Sequence, residues 1–367
     1  MKRLKIGKQW VGDGKKPYWI ADISANWMPT PEQKPDIRKA FKLIDAAKQA
    51  GADVAKFQTF QAPKIVSDVG FKSMKITHQA KWKKSVYEVY EDASLKFDWH
   101  QKLANYCKKV GIEFMSTPYD KESVDLLEKV DVNAYKIGSG DIDYIELLTY
   151  IAKKRKPIII SSGASDLATV ELAINTLRKA GNDQIILLQC ITNYALSPIE
   201  QAGVEAMVTM GKAFDVAYGY SDHTYDADNP FHGVVVPLIA VTRGACVIEK
   251  HLCLRNDDET PDAPFSMTPQ AFALMTKYGN LVKTILGSGQ KQVVAAETDS
   301  SIIQRRCLRA ARDLKKGTAL TKSMVEALRP TPKGSITPQF TEMIIGKKLT
   351  QSISRGEAFA WKHLFST

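Results

Sequence analysis

The stretch WHQKLANYCKKVGIEFMSTP (residues 99–118) joins a helix pattern to a strand pattern and decides the fold class. Two lysines and Gly111 follow the helical part. This is a typical helix stop signal, because basic side chains interact favourably with the free carbonyls at the helix end and glycine permits a left-handed turn. A short apolar run comes next and ends in Ser116 and Thr117. The stretch therefore predicts a helix that leads directly into a buried strand, as in a repeated β/α unit.

The same alternation recurs from about residue 17 to residue 251. The short apolar runs number eight, and they occupy residues 18–23, 53–60, 112–118, 134–140, 157–163, 184–190, 215–221 and 245–251. Eight β/α units predict an α/β fold of the (β/α)8 TIM-barrel type, with the active site at the C-terminal ends of the strands. An insertion at residues 64–94 follows the second run, where such loops commonly cover the barrel mouth.

The chain of 367 residues is long enough for one large domain and one small domain. We expect a barrel over residues 1–286, a polar linker over residues 287–301 and a small strand-and-turn-rich domain over residues 302–367. Because this last segment is too short for a large core, we expect it to pack on the barrel or on a partner subunit.

Composition and charge exclude several classes of function. No apolar stretch approaches the roughly 20 residues that span a bilayer, and no apolar segment follows the charged N-terminus, so we expect a cytoplasmic protein without a membrane partner. Five scattered cysteines predict neither a disulfide framework nor a zinc ribbon. The net charge of +11 comes without interleaved aromatic residues, so we expect an anionic small substrate and no nucleic acid.

Polar residues stand at the ends of nearly all the runs, although strands buried on both sides should be apolar. They are Asp22, Lys56, Gln58, Ser116, Thr117, Lys136, Ser139, Ser161, Ser162, Ser221, His223, Lys250 and His251. Because strand ends converge on one mouth, the lysines and hydroxyls can hold a phosphate and a carboxylate, the two anionic groups of phosphoenolpyruvate. The alternative is that the lysines snorkel at strand edges and that Ser161 and Ser162 cap the next helix.

Two histidines end the seventh and eighth runs, His223 in GYSDHT and His251 in EKH. Neighbouring strands would bring the imidazoles together, and a divalent metal could be held there with substrate and water completing its shell. The alternative is a pair of hydrogen-bonded structural histidines.

At these residues the sequence resembles the sialic acid synthase family, which includes N-acetylneuraminate, legionaminate and pseudaminate synthases. The resemblance covers almost the whole chain, and the matching stretches occur in family order. They are IADISAN, DAAKQAGADVAKFQTF, GIEFMSTPYD, YKIGSGDI, KPIIISSG, YGYSDHT, VIEKHLCL, ARDLKKGTALT, RPTPKGSITP and IIGKK.

The resemblance implies a barrel joined to an antifreeze-like (SAF) domain, in a domain-swapped homodimer where the small domain reaches over the partner's active site. The implied enzyme is a transferase of carbohydrate biosynthesis. It condenses phosphoenolpyruvate with the open-chain aldehyde of an acylamino sugar of the N-acetylhexosamine type, which gives a nine-carbon 2-keto acid and phosphate. A divalent metal is implied, manganese (Mn²⁺) first, with magnesium or cobalt as alternatives.

Site residues are carried over position by position. The resemblance implies phosphoenolpyruvate contacts at Lys56, Thr117, Lys136, Ser139, Ser161, Thr192 and Ser221. It implies sugar contacts at Gln58, Asp141, Tyr194 and Asp262, metal ligands at His223 and His251, and an arginine donated by the partner at Arg329. Asp22 stands where the family has a glutamate thought to help activate water, so we predict it to be the catalytic base, with Lys56 and Lys136 as the other catalytic residues.

Three departures from the family pattern lie near the predicted sugar pocket and imply an unusual acceptor. Trp27 stands in place of a histidine, Asp141 in place of a glutamate, and PDAPFS (261–266) in place of the more usual PDH arrangement. Two other functions stay open. One is a different phosphoenolpyruvate condensation with a phosphosugar, which would need a second anion site, and the other is a non-catalytic sugar-binding barrel.

Overall fold

The computed structural model describes residues 2–28, 35–73, 79, 82–194, 198–225 and 228–365. It divides into two compact units, Met1–Leu286 and Gly287–Thr367. No helix among the described residues is long and apolar enough to cross a membrane.

The first unit is built on eight parallel strands. They are β3 (Tyr18–Asp22), β4 (Val54–Thr59), β5 (Glu113–Pro118), β6 (Tyr135–Ile137), β7 (Ile158–Ser161), β8 (Ile185–Cys190), β9 (Ala217–Asp222) and β10 (Val247–His251). Their order is β5-β4-β3-β10-β9-β8-β7-β6, and β6 lies beside β5, so the sheet closes on itself. Each predicted run coincides with one of these strands, and β9 alone extends one residue beyond its run, which confirms the TIM barrel.

Helices alternate with the strands along the chain. They are α1 (Ile37–Gln49), α2 (Asp68–Ser73), α3 (Val86–Ala93), α4 (Trp99–Val110), α5 (Lys121–Lys129), α6 (Ile145–Ala152), α7 (Leu167–Lys179), α8 (Val204–Ala213), α9 (His232–Thr242) and α10 (Pro269–Leu286). Two of them, α2 and α3, belong to the insertion after β4. Asp36, Asp120 and Asp166 cap α1, α5 and α7, respectively, by accepting hydrogen bonds from backbone N–H groups of the first turn. Gly111 ends α4 in the left-handed conformation, as the stop signal predicted.

An N-terminal hairpin closes the floor of the barrel. Its strands are β1 (Arg3–Ile6) and β2 (Gln9–Gly12), and they place Ile6 and Val11 in one apolar cluster with interior residues of the barrel strands. At the hairpin turn, a Cβ on Gly7 would lie 2.4 Å from the Glu113 carboxylate at the start of β5. Gly7 has φ +53°, a left-handed conformation that favours glycine, and its position beside the start of β5 shows that the hairpin seals the end opposite to the polar strand ends.

Part of the insertion at residues 64–94 packs at the C-terminal end of β4. Helix α3 begins with a capping box between Ser85 and Glu88, and its apolar face is buried. The ring of Tyr90 on this helix lies 5.6 Å from that of Phe60, directly after β4. Residues 74–78, 80 and 81 of the insertion lie outside the described residues.

The second unit has a small core of its own. Its elements are α11 (Thr298–Ile303), the antiparallel pair β11 (Cys307–Ala310) and β12 (Val325–Leu328), and α12 (Thr341–Ile344). Short bridges and turns enclose apolar side chains such as Leu308, Ile336 and Phe359. Residues 287–300, within the segment expected to be a linker, are exposed, and α11 begins there.

Candidate active site

Four charged side chains, the charge cluster of Asp22, Lys56, Lys136 and Glu249, meet inside the barrel mouth. Lys56 Nζ donates to Asp22 Oδ2 at 2.7 Å and lies 3.7 Å from Glu249 Oε2. Lys136 Nζ donates to Ser161 Oγ at 2.7 Å and lies 3.5 Å from Glu249 Oε1. All four are almost completely buried. The snorkelling alternative is therefore wrong for both lysines.

The charge cluster keeps unused hydrogen-bonding capacity. Among the described residues, Asp22 Oδ1 and Glu249 Oε2 are buried without a hydrogen-bond partner. A buried polar atom left unpaired costs about 1–3 kcal/mol, so its retention indicates a function other than stability. Charged groups held in place with spare bonding capacity are suited to receiving a polar ligand.

The two carboxyls differ in acidity. Burial would raise the pKa of Glu249, but the charges of Lys136 and Lys56 outweigh burial and lower that pKa to about 2. Burial raises the pKa of Asp22, and the Glu249 charge adds to this, while Lys56 acts in the opposite direction. Glu249 is thus a permanent anion at neutral pH, and Asp22 is the member of the pair that accepts a proton more readily.

The alternation of side chains along each strand decides which polar residues reach the mouth. Glu249 and His251 face inward, so Lys250 between them faces outward and forms a fully buried ion pair with Asp222. Ser116 likewise bonds Thr59 Oγ1 at 2.6 Å on the outer face. The expectation that Lys250 and Ser116 point into the mouth is wrong, because neighbours in a strand point to opposite faces.

Four other predicted hydroxyl residues lie beside the charge cluster or close to one another. Thr117 Oγ1 lies 3.5 Å from Lys56 Nζ, and Ser221 Oγ donates to Glu249 Oε1 at 3.0 Å. A Cβ on Gly163 would lie 1.9 Å from Thr192 Oγ1 and 2.8 Å from Ser139 Oγ, so these hydroxyls also stand close together.

The helix-capping alternative for the serine pair is wrong. Ser161 accepts from Lys136, as described above, and Ser162 Oγ donates to the Leu188 carbonyl at 3.0 Å. The next helix, α7, is instead capped by Asp166. Ser161 is thereby part of the mouth, and Ser162 belongs to the packing between β7 and β8.

The rings of His223 and His251 lie 5.3 Å apart between centroids. His223 Nδ1 is 3.0 Å from the Ile191 carbonyl, which fixes the ring and leaves Nε2 for another partner. His251 Nδ1 is buried without a hydrogen-bond partner among the described residues, and burial lowers the pKa of His251 to about 3. A neutral imidazole with an unpaired nitrogen fits a metal ligand better than a structural histidine.

The predicted sugar contacts surround the same mouth. The Tyr194 ring lies 4.9 Å from that of His223, and Asp262 Oδ2 accepts from the Ala25 backbone at 3.1 Å while lying 3.9 Å from His251 Nδ1. Gln58 is half-buried beside Thr117 in the β4–β5 register. Asp141 is also half-buried, and burial raises its pKa to about 6.

Trp27, named above as a departure from the family pattern, and the predicted site residue Arg329 have other surroundings. Trp27 is 2% exposed in the main core and packs edge-on against Trp99 at 5.6 Å, so the structure assigns it a packing role. Arg329 belongs to the second unit, where it is exposed and has no hydrogen bond or ion pair with any described residue. The neighbouring Pro330 carbonyl accepts from Arg309 at 2.6 Å, which ties down the loop.

Sequence reasoning missed Glu249 and Phe265. Glu249 stands two residues before His251, and this period-2 spacing was a usable signal that both face the barrel interior. Phe265 lies with its ring 4.9 Å from His251 and 5.9 Å from His223, so it forms a wall of the histidine site. Its position depends on the turn after β10, which no local pattern predicts.

Comparison with known proteins gives matches over the whole chain. The NeuB family model matches residues 43–291, and the SAF domain model matches residues 305–364. The chain is 35% identical to an N,N'-diacetyllegionaminic acid synthase of Legionella pneumophila, with 90% of this chain and 91% of the relative covered. It is 32% identical to a pseudaminic acid synthase of Helicobacter pylori, with 91% and 94% covered.

A solved structure also matches closely. The N-acetylneuraminic acid (sialic acid) synthetase of Leptospira borgpetersenii superposes with a TM-score of 0.68 at 25% identity, covering 82% of this chain and 95% of that one. The match supports the barrel architecture described above.

Proposed function

The chain belongs to the NeuB family, and from this premise we infer that it is a nonulosonic (sialic-type) acid synthase. It joins C3 of phosphoenolpyruvate to C1 of an open-chain acylamino aldose, which gives a nine-carbon 2-keto sugar acid and phosphate. The observation that carries this function is a buried two-lysine cluster directly beside a histidine pair, His251 Nε2 lying 3.5 Å from Asp22 Oδ2. An anion site next to a site for an electrophile is what joining two substrates requires.

The lysines form the donor end of the site. A phosphate or carboxylate oxygen that contacts Lys56 or Lys136 gains a charge-assisted hydrogen bond, which contributes on the order of 1.5–3 kcal/mol in a buried setting. The hydroxyls of Thr117, Ser139, Ser161, Thr192 and Ser221 supply neutral donors around the same space.

Asp22 is the proposed base. After C3 attacks the aldehyde carbon, water adds at C2 and gives up a proton, and the C2–O bond to phosphate then breaks. Lys56 holds Oδ2 of Asp22, while Oδ1 has no partner among the described residues. Its raised pKa makes this carboxylate a stronger base than an ordinary aspartate.

His223 and His251 would hold a divalent metal, for which we propose manganese, with magnesium or cobalt as alternatives. When bound, the metal would polarise the aldehyde oxygen of the acceptor. The chain presents two ring nitrogens for it, because the Ile191 carbonyl occupies His223 Nδ1 and burial keeps His251 neutral. The described residues contain no group of three or more His, Cys, Asp or Glu side chains placed to hold a metal, so substrate and water would supply the other ligands.

A homodimer is proposed as the working form, in which Arg329 is donated to the partner's barrel. Arg329 would contact the sugar there, together with Gln58, Asp141, Tyr194 and Asp262. An exposed apolar stripe on α10 supports self-association. Leu274, Tyr278, Leu281 and Ile285 follow helical spacing and are 41–73% exposed. A second copy of the chain that covered this stripe would remove it from water. A cytoplasmic location is proposed with it.

Phosphate release from phosphoenolpyruvate tests the function. The assay uses a panel of acylamino aldoses, with phosphosugars as the competing class of acceptor. We expect release with an acylamino aldose and a product heavier than the acceptor by the enolpyruvate carbons. Release with phosphosugars alone would identify a different condensation, and sugar binding without any release would identify a non-catalytic barrel.

A further inference from the structure

An acidic and a basic residue precede the two histidines of the barrel mouth. Asp222 stands directly before His223 at the end of β9. Lys250 stands directly before His251 at the end of β10. The two strands pair in parallel with Lys250 opposite Asp222, so the two charged side chains meet on the outer face of the sheet.

The Asp222 carboxylate accepts three hydrogen bonds. Lys250 Nζ donates to Oδ2 across the strands. The Thr224 hydroxyl donates to the same oxygen at 3.0 Å, and the Thr224 backbone N–H donates to Oδ1 at 3.1 Å. Since Thr224 follows His223, the carboxylate closes a short turn around this histidine. One side chain thereby holds the backbone at His223 and joins it to the strand that carries His251.

Water does not reach this ion pair. The side chains of Lys250 and Asp222 are both 0% exposed, and Thr224 is 2% exposed. Two residues earlier on each strand, Tyr220 and Ile248 belong to the main apolar cluster. Burying two charges in such surroundings costs free energy, and apolar residues of similar volume are often equally stable in their place. Stability alone is therefore a weak reason for the pair, which points to a role in geometry.

Metal binding is the function that needs such geometry. Bonds between a metal and its ligands tolerate only about 0.2 Å of variation in length, so the two rings need fixed positions. The Ile191 carbonyl, 3.0 Å from Nδ1, anchors the His223 ring. His251 Nδ1 has no hydrogen-bond partner among the described residues, so its ring lacks an anchor of this kind. The position of His251 depends on its backbone, which continues directly from Lys250.

We propose that Asp222 and Lys250 are positioning residues for the metal. Their ion pair sets the separation of the two histidines, and Thr224 fixes the turn that carries His223. The inference rests on the proposed metal site and adds the side chains that hold it in shape. Because the pair lies on the outer face, its loss should weaken metal binding and spare the anion site at the lysines of the charge cluster.

The double variant Asp222→Asn/Lys250→Met removes the ion pair without leaving a lone buried charge. The asparagine amide oxygen can still accept from Thr224, and methionine keeps an unbranched chain, so we expect the fold and the melting temperature to be retained. Electron paramagnetic resonance of free manganese measures metal binding without turnover. We expect the Kd for manganese to rise about tenfold or more, as for other outer partners of metal ligands. Turnover should recover at saturating manganese, with the KM for phosphoenolpyruvate unchanged.

Thr224→Val and Thr224→Ser test the turn around His223. Valine keeps the shape and removes the hydroxyl, so we expect the Kd for manganese to rise about three- to tenfold, as the loss of one hydrogen bond predicts. Serine keeps the hydroxyl and should bind manganese like the wild type.

The matched control is Glu128→Gln/Lys156→Met. It makes the same exchange at an ion pair of 2.8 Å between α5 and the segment before β7, remote from both histidines. Manganese binding should be unchanged in this control.

Crystal structures of the metal-free wild type and double variant separate this inference from the metal proposal. They give the distance between the two imidazole centroids, which is 5.3 Å here. If the double variant binds manganese as tightly as the wild type and the rings stay in place, the positioning proposal is wrong and the metal stands. If the wild type binds no manganese but the rings of the variant move by about 0.5 Å or more, positioning stands and the metal is wrong.

Two other outcomes are decisive. Manganese affinity that falls together with the melting temperature and with phosphoenolpyruvate binding would mean that the pair has only a structural role, which overturns the inference. Absence of both manganese binding and ring movement would overturn both proposals.

Discussion

Glu249→Gln removes one negative charge from between two buried lysines and keeps the shape of the side chain. The carboxylate oxygens of Glu249 lie 3.5 Å from Lys136 Nζ and 3.7 Å from Lys56 Nζ. The amide can still accept from Ser221, so the substitution changes charge far more than packing. We expect the barrel to be destabilised at neutral pH.

The size of the effect follows from the pKa. Burial opposes ionisation of Glu249, but the two lysines lower its pKa from 4.5 to about 2. At about 1.4 kcal/mol per pKa unit, the ionised form contributes about 3 kcal/mol to the free energy of unfolding at pH 7. Because the folded pKa is depressed, this contribution is present above pH 4.5 and is lost as the pH falls towards 2. Breaking a buried ion pair commonly costs about 3–5 kcal/mol, which agrees with this contribution of Glu249 to the free energy of unfolding.

Urea denaturation at several pH values between 2.5 and 7 measures the difference in the free energy of unfolding between wild type and variant. We expect a gap of about 3 kcal/mol at pH 7 that closes towards the acid end. Glu205→Gln, which removes the exposed partner of Arg243, is the control and should cost less than about 1 kcal/mol. A pH-independent gap, or none at pH 7, would refute the assignment of Glu249 as the counter-charge of both lysines.

Three further predictions concern the proposed reaction. Chelation should abolish turnover, and manganese should restore it. His223→Ala and His251→Ala should mimic metal loss at an unchanged melting temperature. Full activity of the metal-stripped protein would rule out the metal. Lys56→Ala and Lys136→Ala should reduce kcat/KM for phosphoenolpyruvate by roughly tenfold or more and affect acceptor use far less, and unchanged kinetics would remove both from the site. Mixing inactive Arg329→Ala and Lys56→Ala subunits should restore activity in heterodimers that contain one intact site, and no recovery despite demonstrated subunit exchange would contradict donation across the dimer.

The barrel was predictable from sequence because its signals are local. Each strand is a short apolar run, and helices are bounded by residues such as Asp166 and Gly111 that act within one turn. The polar ends of the runs also located the mouth, since parallel strands carry their C-terminal ends to one edge.

Which residues belong to the site was less predictable, because the face on which a strand residue lies depends on the register of the strand. Lys250 and Glu249 are neighbours in sequence, yet one faces the helices and the other faces two lysines. Strict alternation counted from His251 would have separated them. Contacts such as that of Tyr119 with Phe60 join segments far apart in the chain, and no pattern in either segment specifies them.

The hairpin beneath the barrel has an electrical consequence. Ile6 and Val11 seal the floor together with interior side chains such as Ile20 and Val54. While this seal holds, solvent can approach the charge cluster only from the mouth. Removing residues 2–12 would let water enter from below, and this water would raise the effective dielectric constant between the charges. The lysines would then attract Glu249 less strongly, and its pKa would rise from about 2 towards the ordinary range. The strength of the electric field at the mouth is therefore set in part by the first strands of the chain, at the opposite end of the barrel.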